Sequence, residues 1–337
     1  MGSAPVASPS EMFDLAIEHL GGHLRRIGDG EVGERDTWIR WQYPRLSQSP
    51  QLEPENPDEG YSGRATVEQF VLKEGAGDVE LVDPGYADAA IASYAEFAEA
   101  KAAGRIPDNV RFMVGLPSPL SVVTLYVAPG SRRTVFEAYA AALLSNLDRI
   151  LDEIPHHQLA IQWEVCIEFG TLEGIWTQLD SGLSGEAAQP AIAAAVVPLG
   201  GRVPEPVELG FHLCYGDAGH QHFVEPKDTG YLAWMADTLL AGVDRPIQWI
   251  HLPVPRDRDD REYFEAIGAV EVPAETELYL GLVHQTGGLD ATRRRLATAA
   301  SVVPRFGVAT ECGLGRRARE DIPALLEQHA TVSDPVV

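Results

Sequence analysis

His212 and Cys214 stand two residues apart at the end of the apolar run Glu208–Cys214, and Cys312 follows far along the chain, directly before Gly313. Imidazole nitrogen and thiolate sulfur are ligands for zinc, whereas magnesium and calcium want oxygen. An H-x-C pair with a distant third ligand requires the ends of separate elements to meet. A His and two Cys leave a fourth position for another side chain, water or substrate, which is the layout of a catalytic metal. Zn2+ in such a site could activate a substrate thiol for attack on an alkyl donor. It could equally turn water into hydroxide or polarise a carbonyl. The three cysteines, Cys166, Cys214 and Cys312, are too few and too odd in number for a disulfide framework, which points to a reducing compartment. Cys166, after a strand end, reads as packing.

These residues need a scaffold that brings strand ends together. Short apolar runs alternate with helical stretches along the chain. Strands are expected at His23–Ile27, Val110–Val114, Leu159–Trp163, Glu208–Cys214, Ile247–Leu252, Glu277–Val283 and Arg305–Thr310, with a weaker first strand near Pro5–Ala7 making eight. Helices are expected at Glu11–Leu20, Ala87–Ala103, Arg133–Glu153, Gly230–Ala241, Arg261–Ile267, Asp290–Val302 and Arg317–Gln328. Alternation of helix with buried strand reads as parallel α/β. Eight units without a G-x-G-x-x-G after an early strand favour a single-domain (β/α)8 TIM barrel. Two segments break the rhythm and read as insertions, 41–84 and 181–206. Within the first, Val67–Leu72 and Val79–Val82 read as a hairpin over one rim; the second reads as a lid.

In such a barrel the loops after the strands converge on one face. Here they carry Asp29-Gly30-Glu31, Ser118, Trp163-Glu164, His212/Cys214, His251, His284 and Cys312. Glu31 suits an amine or hydroxyl of a substrate, and Asp29 with Arg35 could form a structural ion pair. His284 near a metal-bound substrate could run acid–base steps. His251 could ligate the metal or end its strand as a satisfied histidine. His220 and His222 lie in the loop after the H-x-C pair. Trp38, Trp41, Trp163 and Trp249 could wall an aromatic pocket or fill the core.

Composition narrows the partners. Among 337 residues, 26 basic side chains face 50 acidic ones, a net charge of −24, which opposes binding to nucleic acid or to an anionic membrane surface. There is no run of about 18 apolar residues to span a membrane and no secretory signal at the start. A cytoplasmic enzyme acting on a small molecule is expected, with a thiol the leading substrate class.

The order of motifs resembles the C-terminal catalytic barrel of cobalamin-independent methionine synthase, in the superfamily that includes uroporphyrinogen decarboxylase. The resemblance spans about residues 5–320. Asp29-Gly30-Glu31-Val32-Gly33-Glu34-Arg35-Asp36 is similar to the family's H-G-E-x-E-R-N-D. Val114–Pro119 is similar to T-G-P-V-T, and Ile161-Gln162-Trp163-Glu164 to Q-I-D-E-P. His212-Leu213-Cys214-Tyr215 resembles H-x-C-Y, Val283-His284 resembles D-I-H, and Cys312-Gly313-Leu314-Gly315-Arg316 resembles C-G-L-K-x-R. The resemblance implies zinc on His212, Cys214 and Cys312, and His284 as proton donor. It puts His251 where the family has a fourth-ligand Glu, and Trp163 where it has the Asp that holds the amino group of homocysteine. Ser118, Glu164 and Asp29 become substrate contacts with Trp163, and Glu31 joins His284 in catalysis. The implied activity is alkyl or methyl transfer to or from a zinc-bound thiol, on a substrate other than that of methionine synthase. A zinc lyase or hydrolase acting on a carbonyl compound, and a zinc-stabilised binding protein without turnover, stay open.

Overall fold

A computed structural model describes residues 2–55, 68–219 and 221–336. Its strands are β1 (Arg26–Gly28), β2 (Leu52–Pro54), β3 (Phe70–Leu72), β4 (Arg111–Pro117), β5 (Leu159–Val165), β6 (Glu208–Leu213), β7 (Trp249–Pro253), β8 (Glu277–Val283) and β9 (Gly307–Thr310). Seven form one curled sheet in the order β1-β4-β5-β6-β7-β8-β9, with every neighbouring pair parallel. Helices fall between these strands, as parallel crossovers require. All seven residues of β5 are buried, as expected of a strand covered on both faces.

Register divides each strand into two rows. Trp163, Phe211, Ile250 and Leu278 stand side by side across β5 to β8. The Trp163 indole donates to the Leu199 carbonyl of the helix Gln189–Gly201 at 3.1 Å, so this row faces the outer helices. The alternate row faces inward: Pro117, Glu164, His212, His251 and Tyr279 are successive partners toward the C-terminal ends. One layer lower lie Gly115, Gln162, Gly210 and Trp249. Side-chain alternation therefore carries one set of residues to the mouth and the other to the helix layer.

Below the mouth the interior is filled. The Trp249 ring lies against Gly210, where a Cβ would come within 1.9 Å of it. Its Nε1 donates to Gln162 Oε1 at 3.2 Å, and the Arg26 guanidinium stacks on it at 4.2 Å. Arg26 in turn pairs with Glu208 (2.5 Å) and Glu277 (3.0 Å). Trp249 is thus a floor and not a pocket wall.

The expected eighth strand near Pro5–Ala7 does not form, and the sheet curls without closing; β1 and β9 are its edges. Residues 3–4 cross the seam with one bond to each side: Ala4 N–H to Gly30 O (2.8 Å) and Leu314 N–H to Ser3 O (2.6 Å). Pro5 has no N–H to continue a ladder, and Ser8 caps the helix Pro9–Leu20 soon after.

Segment 41–84 does leave the β/α rhythm. Val67 of its expected hairpin lies outside the described residues, and β3 pairs with β2 instead of with 79–82. Segment 181–206, expected as a lid, contains the helix Gln189–Gly201. Ile192 and Val196 are fully buried and Leu199 accepts from Trp163, so this helix is the outer crossover between β5 and β6.

Candidate metal centre

His212 is the last but one residue of β6 with its ring in the inward row, Cys214 follows the same strand, and Cys312 follows β9. Their ligand atoms lie within 4.8 Å of one another. Cys214 Sγ and Cys312 Sγ are 3.7 Å apart, and Cys312 Sγ is 3.7 Å from His212 Nε2. A tetrahedral zinc with bonds of about 2.3 Å to sulfur and about 2.0 Å to nitrogen sets its ligands roughly 3.5–3.8 Å apart. Burial drives the His212 pKa down to about 3, so the imidazole is neutral, the form that binds a metal. Cys166 beside Cys214, and Cys214 beside Cys312, push the latter two thiols well above the ordinary range. A cation would relieve that crowding. The Gly216 N–H donates to Cys214 Sγ at 3.2 Å. The donor set and its spacing fit zinc.

His251, the fourth ligand expected from sequence, stacks its ring on that of His212 at 4.5 Å and 14°. Its Nε2 donates to Thr310 O at 2.9 Å, which fixes the tautomer and leaves Nδ1 as a buried acceptor with no hydrogen-bond partner. It is adjacent to the three gathered ligands but not among them.

A second constellation is acidic. A Cβ placed on Gly115 would lie 3.0 Å from Glu164 Oε1 and 3.4 Å from Glu31 Oε1, so both carboxyls converge above Gly115. Burial, then the facing Glu164 and Asp29, push Glu31 well above the ordinary carboxyl range; burial also raises Glu164. A cavity of about 20 Å³ lined by Glu31, Arg35, Tyr86 and Gly115 adjoins them, large enough for one water-sized group. Glu31 holds φ at 47°, and Trp38 at 57°, in the left-handed region that bulky residues avoid.

The remaining expected residues divide. Asp29 forms an ion pair with Arg35 (2.6 Å), accepts from Ser93 (2.7 Å) and takes the Glu31 N–H (2.9 Å), which makes it a support. Ser118 is fully buried, caps the helix Pro119–Tyr126 and gives its hydroxyl to Glu168. Trp163 points to the helix layer, so Glu164 and not Trp163 occupies the inward position; a one-residue slip in reading the motif reverses the face. Of the four tryptophans, Trp38 lies against the cysteine cluster, together with Trp176 and Phe223.

His284 keeps Nε2 on Val254 O (2.8 Å) and turns Nδ1 toward Glu311 Oε1 (3.6 Å). Glu311, missed in the sequence, also lies 3.7 Å from His222 Nε2. Burial would raise its pKa, but His284, His222 and Arg317 together hold it below the usual value. Its signal was its place directly before Cys312. His220 lies outside the described residues.

The architecture is that of B12-independent methionine synthases and a methyltransferase of known structure. A B12-independent methionine synthase from Shewanella sp. W3-18-1, solved with selenomethionine, superposes with a TM-score of 0.61 at 12% identity, covering 96% of this chain and 87% of that one. A Listeria monocytogenes protein named as a candidate vitamin-B12-independent methionine synthase gives 0.56 at 15% identity, covering 97% and 87%. A methyltransferase from Methanosarcina mazei gives 0.54 at 12%, covering 96% and 85%. At these identities the likeness is one of fold. No family model and no curated protein matches the chain.

Proposed function

We propose that this chain is a zinc-dependent enzyme that transfers an alkyl group, such as methyl, to or from a thiol on a small substrate. The observation that carries the reading is the 3.7 Å spacing of Cys312 Sγ from both Cys214 Sγ and His212 Nε2 at strand ends. The fold shared with a methionine synthase and a methyltransferase supports it. His212, Cys214 and Cys312 would hold the ion, and His251, with Nδ1 unpartnered, is the residue proposed for a fourth place. Zinc bound to two thiolates lowers the pKa of a coordinated thiol and so supplies a nucleophile at neutral pH. Glu31 and Glu164 would bind a substrate ammonium group, a role in keeping with the amino acid in the Shewanella structure. Trp38, Trp176 and Phe223 would exclude water from the sulfur atoms. His284, anchored through Nε2 on Val254 O with Nδ1 turned toward Glu311, would be the acid–base group at the edge of the mouth. The reaction is set apart from methionine synthesis by His251, an imidazole where the resembling family has a carboxylate.

The test is metal analysis followed by zinc-edge spectroscopy. One zinc per chain is expected, lost in Cys312→Ser, with an added sulfur ligand when a thiol substrate is supplied. A chain that takes up no zinc when it is offered ends the reading. Zinc without any response to thiols ends alkyl transfer and favours a lyase or hydrolase.

A further inference from the structure

The cavity of about 20 Å³ beside Glu31 and Gly115 has a wall with no role so far, Tyr86. This residue opens the helix Tyr86–Ala102, directly after Gly85 at φ 84°. A side chain at Gly85 would meet Trp41 and Arg45, so the glycine lets Trp41 close on the helix start. The Trp41 ring packs edge-on against that of Tyr86 at 4.6 Å and 68°, which holds the phenol in the cavity lining. Tyr86 is 7% exposed, and its hydroxyl is buried with no hydrogen-bond partner among the described residues. A buried hydroxyl left unpaired is unfavourable, and a ligand that pairs it recovers the loss. Arg35, in the same lining, is already committed to Asp29 at 2.6 Å. Ala90, Phe112 and Met113 add only apolar surface. Three side-chain groups with oxygen acceptors therefore border a space of one water-sized group: the carboxyls of Glu31 and Glu164 above Gly115, and the Tyr86 hydroxyl. We propose that Tyr86 is a specificity-determining residue that completes, with Glu31 and Glu164, a three-acceptor seat for an unsubstituted primary ammonium and so excludes N-methylated amines. A primary ammonium offers three N–H donors and no acceptor, one for each group. Each methyl on nitrogen removes a donor, leaves one oxygen unpaired and asks for room beyond a single water-sized space. A phenol supplies the third acceptor without a third like charge beside two carboxylates.

The inference rests on the reading of Glu31 and Glu164 as an ammonium site, and the experiment separates the two. Full-length wild type and Tyr86→Phe are offered 2-aminoethanethiol, its N-methyl and N,N-dimethyl derivatives, and 2-mercaptoethanol. Affinity is read from the ligand-induced rise in Tm, with and without zinc. Wild type should favour the primary amine by about 10-fold over the N-methyl and by about 100-fold over the N,N-dimethyl derivative. In Tyr86→Phe the primary amine should bind about 10-fold more weakly and its lead over the N-methyl derivative should close, while 2-mercaptoethanol binds as in wild type. The ligand-free Tm of Tyr86→Phe should match or exceed that of wild type, because the variant removes an unpaired buried hydroxyl. A lower Tm with amine selectivity unchanged would make Tyr86 a structural residue and overturn the proposal. Unchanged amine binding at unchanged Tm would also overturn it, leaving the cavity to water. If wild type prefers 2-aminoethanethiol to 2-mercaptoethanol but takes the methylated amines equally well, the ammonium reading stands and the seat completed by Tyr86 fails. If wild type binds the amines no better than 2-mercaptoethanol, the ammonium reading fails and the seat falls with it. The order among the amines does not depend on the metal, so a chain that takes up no zinc ends the metal reading alone. The wild-type series decides the seat even should Tyr86→Phe not fold.

Discussion

At the scale of single residues, the acidic pair is the feature with the plainest consequences. A carboxyl whose folded pKa is raised is protonated in the native state over a range where the unfolded chain is ionised. Its contribution is therefore fully present below the unfolded value of about 4.5 and is lost as pH rises through the folded value. Wild-type Tm, measured without metal, should fall over that window, and Glu31→Gln, neutral throughout, should flatten the fall and be the more stable protein at the upper end. Parallel Tm–pH curves for the two proteins would show that Glu31 is not strained by burial and by Glu164. The same pair predicts a preference among ligands. An ammonium group between two carboxylates gains charge-assisted hydrogen bonds that a hydroxyl does not. In the zinc-loaded protein, 2-aminoethanethiol should bind about 10–100-fold more tightly than 2-mercaptoethanol, a gap on the order of 1.4–2.8 kcal/mol. Glu164→Gln should narrow it with zinc content kept. Equal affinities in wild type would remove the amine-binding role.

At the scale of elements, alternation along the strands decides what faces the mouth, and there a sequence alone is weakest. Trp163 and Glu164 are adjacent, and the sequence reading placed both in the site, although alternation sends only Glu164 inward and turns Trp163 to the helix layer. The seven sheet strands were legible because their apolar runs are bounded by polar tips, and so was the meeting of His212, Cys214 and Cys312 at strand ends. Segment 181–206 read as a lid and was not legible as a crossover, since the Ala- and Val-rich turns of Gln189–Gly201 give no face until Trp163 and Leu199 are seen together. Glu311 was not legible as a site residue, because its partner, His284, comes from another strand. The inner layers make their own prediction. Gly210→Ala puts a methyl where the Trp249 ring already lies, so it should cost about 1–3 kcal/mol in urea unfolding. Combined with Trp249→Leu, the cost should be smaller than the two singles added, since the leucine vacates the space the methyl needs. Additive costs would mean that the strands shift apart at Gly210 and that the ring is not the obstacle.

At the scale of the whole molecule, the open seam is the place where the barrel depends on contacts other than a ladder. Every other neighbouring pair of sheet strands shares a run of backbone bonds, but β9 and β1 share no ladder, and among the described residues Ser3 and Ala4 give one backbone bond to each side. Arg316 reinforces the crossing with a 2.9 Å bond from Nη1 to Ser3 Oγ. A small apolar cluster of Ala4, Val283, Leu314, Ile322, Leu325 and Leu326 covers it, together with side chains from the helices Pro9–Leu20 and Ile322–Val332. This cluster is separate from the main core. Local opening is cheapest where few bonds and little apolar area hold an edge. The seam also borders the site, since Cys312 and Glu311 follow β9 and Glu31 follows β1. Removing residues 1–7 should therefore raise amide exchange first at β9 and at Leu314, leave β5 and β6 protected, and weaken metal binding by loosening Cys312 while His212 and Cys214 stay in place. Hydrogen exchange read by mass spectrometry on wild type and the truncated protein checks it. If protection falls equally in β5, β6 and β9, the seam is not an independent weak edge and the sheet opens as one unit. If protection at β9 is unchanged, the two helices alone hold the barrel together, and the bonds of Ser3 and Ala4 add nothing to the stability of the end that carries Cys312.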